Sequence, residues 1–139
     1  MLTENDIVRA VSSFLAGRGF EIVQALTTDL KGIDVIARDN DATWYVEAKG
    51  ATSSKPDTNR YGRPFDAAQI LSHVSGAIYA AMAVLGRAPG GPRTRVGLAL
   101  PDNDGHRETV EPVRAALDRL GVAVFWISED GVSLDDPLA

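Results

Sequence analysis

Ile7, Val8, Val11, Phe14 and Leu15 recur at the three- and four-residue spacing of one helical face. Thr3 with Asp6 three positions later resembles a capping box, with Asp in place of the usual Glu or Gln. The spacing predicts a helix over 4–16, ended by Gly17 and Gly19 because glycine tolerates the left-handed backbone of a helix terminus. The pattern then changes to alternation. FEIVQALT predicts a first strand over 20–27, and GIDVIAR (32–38) and TWYVEAK (43–49) predict the second and third. Only the turn-forming DNDA separates the last two, so they should form an antiparallel hairpin. Gly50 to Phe65 has no periodicity and reads as a long loop, a length that in compact domains usually serves function or moves. A second helix over 66–85 carries mostly small and apolar residues, and TRVGLAL reads as a central parallel strand, near-continuous in its apolar character. A third helix over 108–120 would place Val110, Val113, Ala116, Leu117 and Leu120 on one stripe, and VAVFWIS is a fifth strand. The tail EDGVSLDDPLA has room for a short edge strand. Helix, three strands, helix, strand, helix, strand implies an α/β domain: a central mixed sheet with helices on both faces and a hairpin built in.

Composition narrows the class. The 139 residues suffice for one domain, with no internal repeat and no linker, and a 45% hydrophobic, 24% charged mixture is that of an ordinary globular protein. Cysteine is absent, which excludes a disulfide scaffold and a thiolate metal site. MLTENDIVRA is acidic where a secretory leader would be basic, and the longest apolar run, 77–85, is about half of what a bilayer crossing requires. A cytoplasmic protein without a transmembrane segment is expected. The net charge of −5 argues against a nucleic-acid partner until its distribution is considered. From Lys49 to Arg95 lie seven basic and two acidic residues, so a basic middle third sits in an otherwise acidic chain. That third is either a phosphate-facing side or a solvated loop.

The hairpin carries the candidate chemistry. With the turn centred on Asn40 and Asp41, Asp34 lies opposite Glu47, and Lys49 follows one pleat further on the same face. Cross-strand Cβ atoms are about 5 Å apart, and two like charges there repel by roughly 3 kcal/mol at an effective dielectric near 20. Lys49 supplies one positive charge and leaves the cluster at −1, so a divalent cation would complete the balance. Two carboxylates, a strand carbonyl and waters form a hard oxygen shell suited to Mg²⁺ or Mn²⁺; zinc would call for His or Cys. Such an ion acidifies a bound water and neutralises charge developing on a phosphodiester, with Lys49 placed to orient the water or hold the phosphate.

Asp34, twelve intervening residues, then Glu47-Ala48-Lys49 resembles the signature of the PD-(D/E)XK nuclease superfamily, which includes restriction endonucleases and archaeal-type Holliday junction resolvases. The element order is similar to that superfamily's core across most of the chain; Ile33 stands where the signature has proline. The resemblance implies a restriction endonuclease-like three-layer α/β/α fold of order αβββαβαβ and Mg²⁺-dependent cleavage of DNA, with Mn²⁺ as substitute. It implies Asp34 and Glu47 as metal ligands, the carbonyl of Ala48 as a further ligand, and Lys49 beside the attacking water. Some members add a glutamate from the first helix, for which Glu4 is the nearest residue, and a glutamine from the helix after the motif, where Gln69 stands.

Each remaining candidate has a plainer counterpart. Glu4 in a first helical turn also suits the helix dipole, and Gln69 could lie on a helix surface. His73 could meet the scissile phosphate or be a hydrogen-bonded core histidine, and His106, after DNDG, is expected in an exposed loop. Lys55, Arg60 and Arg63 could hold backbone phosphates while Tyr61 stacks on a base, against a polar loop with no ligand. GRAPGGPR lacks the Gly-Lys-Ser/Thr ending of a phosphate-binding loop. Asp102 and Asp104 with Gly105 lack the rest of a calcium loop, and Trp44 and Trp126 read as core. The leading expectation is a DNA endonuclease, as a homodimer if both strands of a duplex are cut. Its rivals are a non-catalytic module of the same fold binding nucleic acid or protein, and a hydrolase of another phosphodiester such as RNA.

Overall fold

The computed structural model of the protein describes residues 1–26, 32–53, 62–87 and 93–139. Its elements run α1 (Glu4–Gly17), β1 (Glu21–Ala25), β2 (Val35–Arg38), β3 (Thr43–Ala48), α2 (Ala67–Arg87), β4 (Thr94–Pro101), α3 (Asp104–Val110), a 3₁₀ turn (Glu111–Val113), α4 (Arg114–Leu120), β5 (Val122–Ser128) and β6 (Gly131–Asp135). The anticipated capping box is present: Asp6 N–H donates to Thr3 Oγ1 at 3.2 Å and Thr3 N–H to Asp6 Oδ2 at 2.8 Å. The first strand is shorter than its apolar pattern suggested, and Thr27 lies outside the described residues.

Six strands form one open mixed sheet in sequence order. β1, β2 and β3 are antiparallel to one another, β3, β4 and β5 are parallel, and β6 closes the far edge antiparallel to β5. The two parallel steps run the same way across the sheet, and right-handed crossovers therefore put their helices on one face. α2, α3 and α4 accordingly bury Ile70, Val74, Val110 and Leu117 against Val96, Leu98, Val124 and Trp126. α1 takes the other face, setting Ile7, Val11 and Leu15 on Val35, Val46, Ala99 and Phe125. Trp44 and Trp126 are both buried, one in each core.

The third helix is not continuous. Pro112 has no N–H to give to the preceding turn, and the chain tightens into the 3₁₀ turn Glu111–Val113 before α4 resumes. That break changes the helical phase, so Val110 and Leu117 are buried while Val113 and Leu120 face solvent, against the single stripe expected. The helix also starts earlier. Asn103 caps it, accepting the His106 backbone N–H at 2.9 Å, and carries His106 into the core instead of leaving it in an exposed loop.

α2 is long and apolar enough to cross a membrane by length and hydropathy alone. Its stripe of Ile70, Val74, Ala77, Ala81 and Val84 is buried against the sheet, and the rest of the helix is more open.

Candidate metal and phosphodiester site

β2 and β3 pair Val35 with Val46, Ile36 with Tyr45, Ala37 with Trp44 and Arg38 with Thr43. This is the register inferred from the turn. The turn itself is held by Asp39, whose Oδ1 accepts from Asp41 and Ala42 N–H at 2.7 and 2.8 Å. Asp34 lies in a bend one residue before that ladder, and its carboxyl meets Glu47 through a side-chain hydrogen bond. Glu47 also aligns with Leu98 of the α2-side core, so Glu47 belongs to the face that α2 covers.

Asp34 is fixed at both ends of the residue. Its carbonyl accepts from Leu26 N–H at 2.7 Å, and its Oδ2 accepts from Ala48 N–H at 2.8 Å. The second bond follows from strand geometry. Thr43 and Lys49 N–H groups turn to β4, to Arg93 and Ala99 carbonyls, so the even-numbered amides of β3 face β2. β2 has not yet begun at Ala48, and the Asp34 carboxylate occupies the place of the missing strand. A residue's N–H and C=O project to the same side of its strand, so the Ala48 carbonyl also lies on the Asp34 side.

Glu4 joins this group from the other layer. Ala51 N–H donates to Leu2 O at 2.8 Å and Thr3 bridges Thr52, which laces the start of α1 to the segment after β3. Gly50 makes the contact possible, since a Cβ there would stand 2.4 Å from Glu4 N and 2.7 Å from Thr3 C. The backbone approach needs a residue without a side chain. Glu4 consequently has the field of both Asp34 and Lys49 acting on it.

The electrostatics are those of crowded acids. Burial, followed by the Asp34 charge and a hydrogen bond with the Asp34 carboxyl, pushes Glu47 up from 4.5 to about 8; Lys49 opposes this and Glu4 adds to it. Burial also raises Asp34, against the lowering effects of the Ala48 N–H, the Glu47 contact and Lys49. Glu4 is raised by burial first and then by Asp34. At neutral pH Glu47 is therefore protonated, because burial and the facing Asp34 oppose its charge more than Lys49 favours it. Among the described residues no three His, Cys, Asp or Glu side chains stand close enough to cage an ion. The donors at hand for a divalent ion are two carboxylates and one carbonyl, with Glu4 further out. All are oxygens, which fits Mg²⁺ or Mn²⁺ and not a soft metal.

Gln69 and His73 have partners of their own. Gln69 is part of the α2 cap: its Oε1 accepts from Asp66 N–H and its own N–H donates to Asp66 Oδ1, both at 2.8 Å. His73 packs edge-on to Phe65 at 4.5 Å and acts electrostatically on His106, and it is not among the charges acting on Asp34 or Glu47. Arg63 is exposed. Lys55, Arg60 and Tyr61 lie outside the described residues.

Two features escaped the reading of the sequence. One is Gly50 as the contact point for α1, whose only signal was a glycine directly after a charged strand end. The other is His106, 1% exposed, with Nδ1 2.9 Å from Asn103 Oδ1 and Nε2 buried without a hydrogen-bond partner among the described residues. Burial, then His73, lowers it to about 4, so it is neutral at physiological pH.

No family model, curated protein or solved structure matches the chain.

Proposed function

We propose that the protein is a metal-dependent endonuclease of the PD-(D/E)XK type, with a restriction endonuclease-like fold, hydrolysing phosphodiester bonds of DNA in the cytoplasm. The observation that carries this reading is the convergence of Asp34, Glu47 and the Ala48 carbonyl at the open end of β3, with Lys49 and Glu4 acting on the same acids. A purely structural hairpin would gain nothing from this arrangement, since facing acids destabilise a strand pair.

Asp34, Glu47 and the Ala48 carbonyl would hold Mg²⁺, with Glu4 steadying the outer ligands. The ion, when bound, supplies Lewis acidity and a bound water of lowered pKa. Asp34 is held in place by two backbone N–H groups, which fixes its carboxylate beside Glu47. Glu47 would have to release its proton to act as a ligand. Lys49 orients the nucleophilic water and balances charge on the phosphate. Exposed Arg63 is available for backbone phosphates.

The test is incubation of the purified protein with labelled linear, circular and branched DNA, and with RNA of the same sequence, in Mg²⁺ or Mn²⁺. Cleavage should be confined to DNA and fall at least about a hundredfold in Glu47→Gln and Lys49→Ala. Equal trace activity in wild type and both variants across all substrates would refute the proposal.

A further inference from the structure

The outward side of α2 is the most unusual surface of the protein. From Ala67 to Gly86 the helix carries no charged residue, although it is a surface helix buried on one stripe only. Surface helices ordinarily put charge on the side away from the core. Here that side holds Ala68, Ser72, Ser75, Gly76 and Tyr79, with Tyr79 78% exposed and Leu71 on the flank 58% exposed. The helix is about 31 Å long at 1.5 Å per residue, so the uncharged surface is a strip and not an isolated spot.

We propose that this strip pairs α2 antiparallel with α2 of a second copy of the chain, about a twofold axis passing beside Gly76. Charge complementarity selects this occupant. The charges flanking the strip are Asp66 at one end and Arg87 at the other, both exposed. An antiparallel twofold pair brings each Asp66 towards Arg87 of the other copy, and no like charges meet along the length. Gly76 lies at the midpoint with nothing within 4 Å of its Cβ position, leaving open space where two helices cross. Under the same symmetry Tyr79 covers Ser72 of the second copy, a large side chain over a small one.

Other occupants fit less well. A bilayer would require either release of the α2 stripe from the sheet or a Lys- and Arg-lined interfacial helix, and the strip has no cation. Nucleic acid would likewise require cations. A single helix pair is at the low end of specific interface sizes, so the dimer forms reversibly with concentration. The inference is independent of the nuclease reading, because no residue of the strip belongs to the acid site.

Sedimentation velocity on the full chain, from about 1 μM to about 1 mM, where weak interfaces of this size assemble, should show a monomer–dimer equilibrium. Gly76→Lys touches nothing in the fold and favours helix, and it should raise the dissociation constant at least about tenfold by placing two ammonium groups at the axis. Arg87→Glu should raise it severalfold in low salt, with the effect shrinking as salt is added. Three results would each overturn the proposal: a wild type that stays monomeric throughout, a dimer indifferent to Gly76→Lys, or a monomer that instead co-sediments with neutral phosphatidylcholine vesicles.

Discussion

Replacing Glu47 by Gln should make the metal-free protein more stable at alkaline pH. Gln keeps the size and hydrogen-bonding capacity of the side chain but removes the charge that Asp34 and burial oppose. The acid rises from 4.5 to about 8 in the folded protein, and each tenfold change in proton affinity corresponds to about 1.4 kcal/mol. The full shift would set a ceiling of about 5 kcal/mol, and screening at a half-open site reduces this to roughly 2 kcal/mol. The sign follows from proton counting. Between pH 4.5 and about 8 the folded chain holds a proton that the unfolded chain has released, so wild-type stability falls as pH rises through that window. Below it both states are protonated and the two proteins should coincide. Above about pH 8 the penalty is complete, and Glu47→Gln should be favoured by the full amount. Urea unfolding in EDTA at acidic, neutral and alkaline pH, with unchanged m-values, measures this directly. A variant less stable than wild type at alkaline pH, or a difference independent of pH, would refute the picture of a Glu47 kept protonated by burial and by Asp34.

Asp34→Ala should destabilise the fold by about 1–3 kcal/mol, because it strips the acceptor from the buried Ala48 N–H, while Asp34→Asn keeps an acceptor there and should cost less; chemical denaturation separates them. Gly50→Ala should cost about 1–3 kcal/mol and weaken Mn²⁺ binding in calorimetry, since its methyl would stand 2.4 Å from Glu4 N and push α1 away from the acids. Unchanged stability in that variant would mean that the start of α1 is not packed as described.

The hairpin was readable because its determinants are local: DNDA sets the turn, and a period of two then fixes every pairing out to Val35 and Val46, which brings Asp34 beside Glu47. The helices on both faces were readable from their apolar stripes. What the sequence withheld was non-local or depended on phase. Nothing near Gly50 announces that α1 returns to touch it, so in the sequence Glu4 is tied to the site only by the family resemblance and otherwise suits the helix dipole. Pro112 gave a visible signal, yet the stripe was carried across it; the 3₁₀ turn rotates Val113 and Leu120 to solvent. DNDG has the composition of a loop, whereas Asn103 within it caps α3 and so takes His106 into the core. Gln69 shows a site signal shared with a structural one, since a glutamine three residues after an aspartate at a helix start also makes a reciprocal cap.

In the proposed site Asp34, just before β2, and Glu47 of β3 are held together to share one divalent cation. Anomalous diffraction from crystals soaked in Mn²⁺ tests it most directly. The account predicts a single strong peak within bonding distance of carboxylate oxygens from both Asp34 and Glu47 and of the Ala48 carbonyl. Crystals with intact hairpins and no peak there, or with Mn²⁺ bound to one acid while the other turns away, would contradict it.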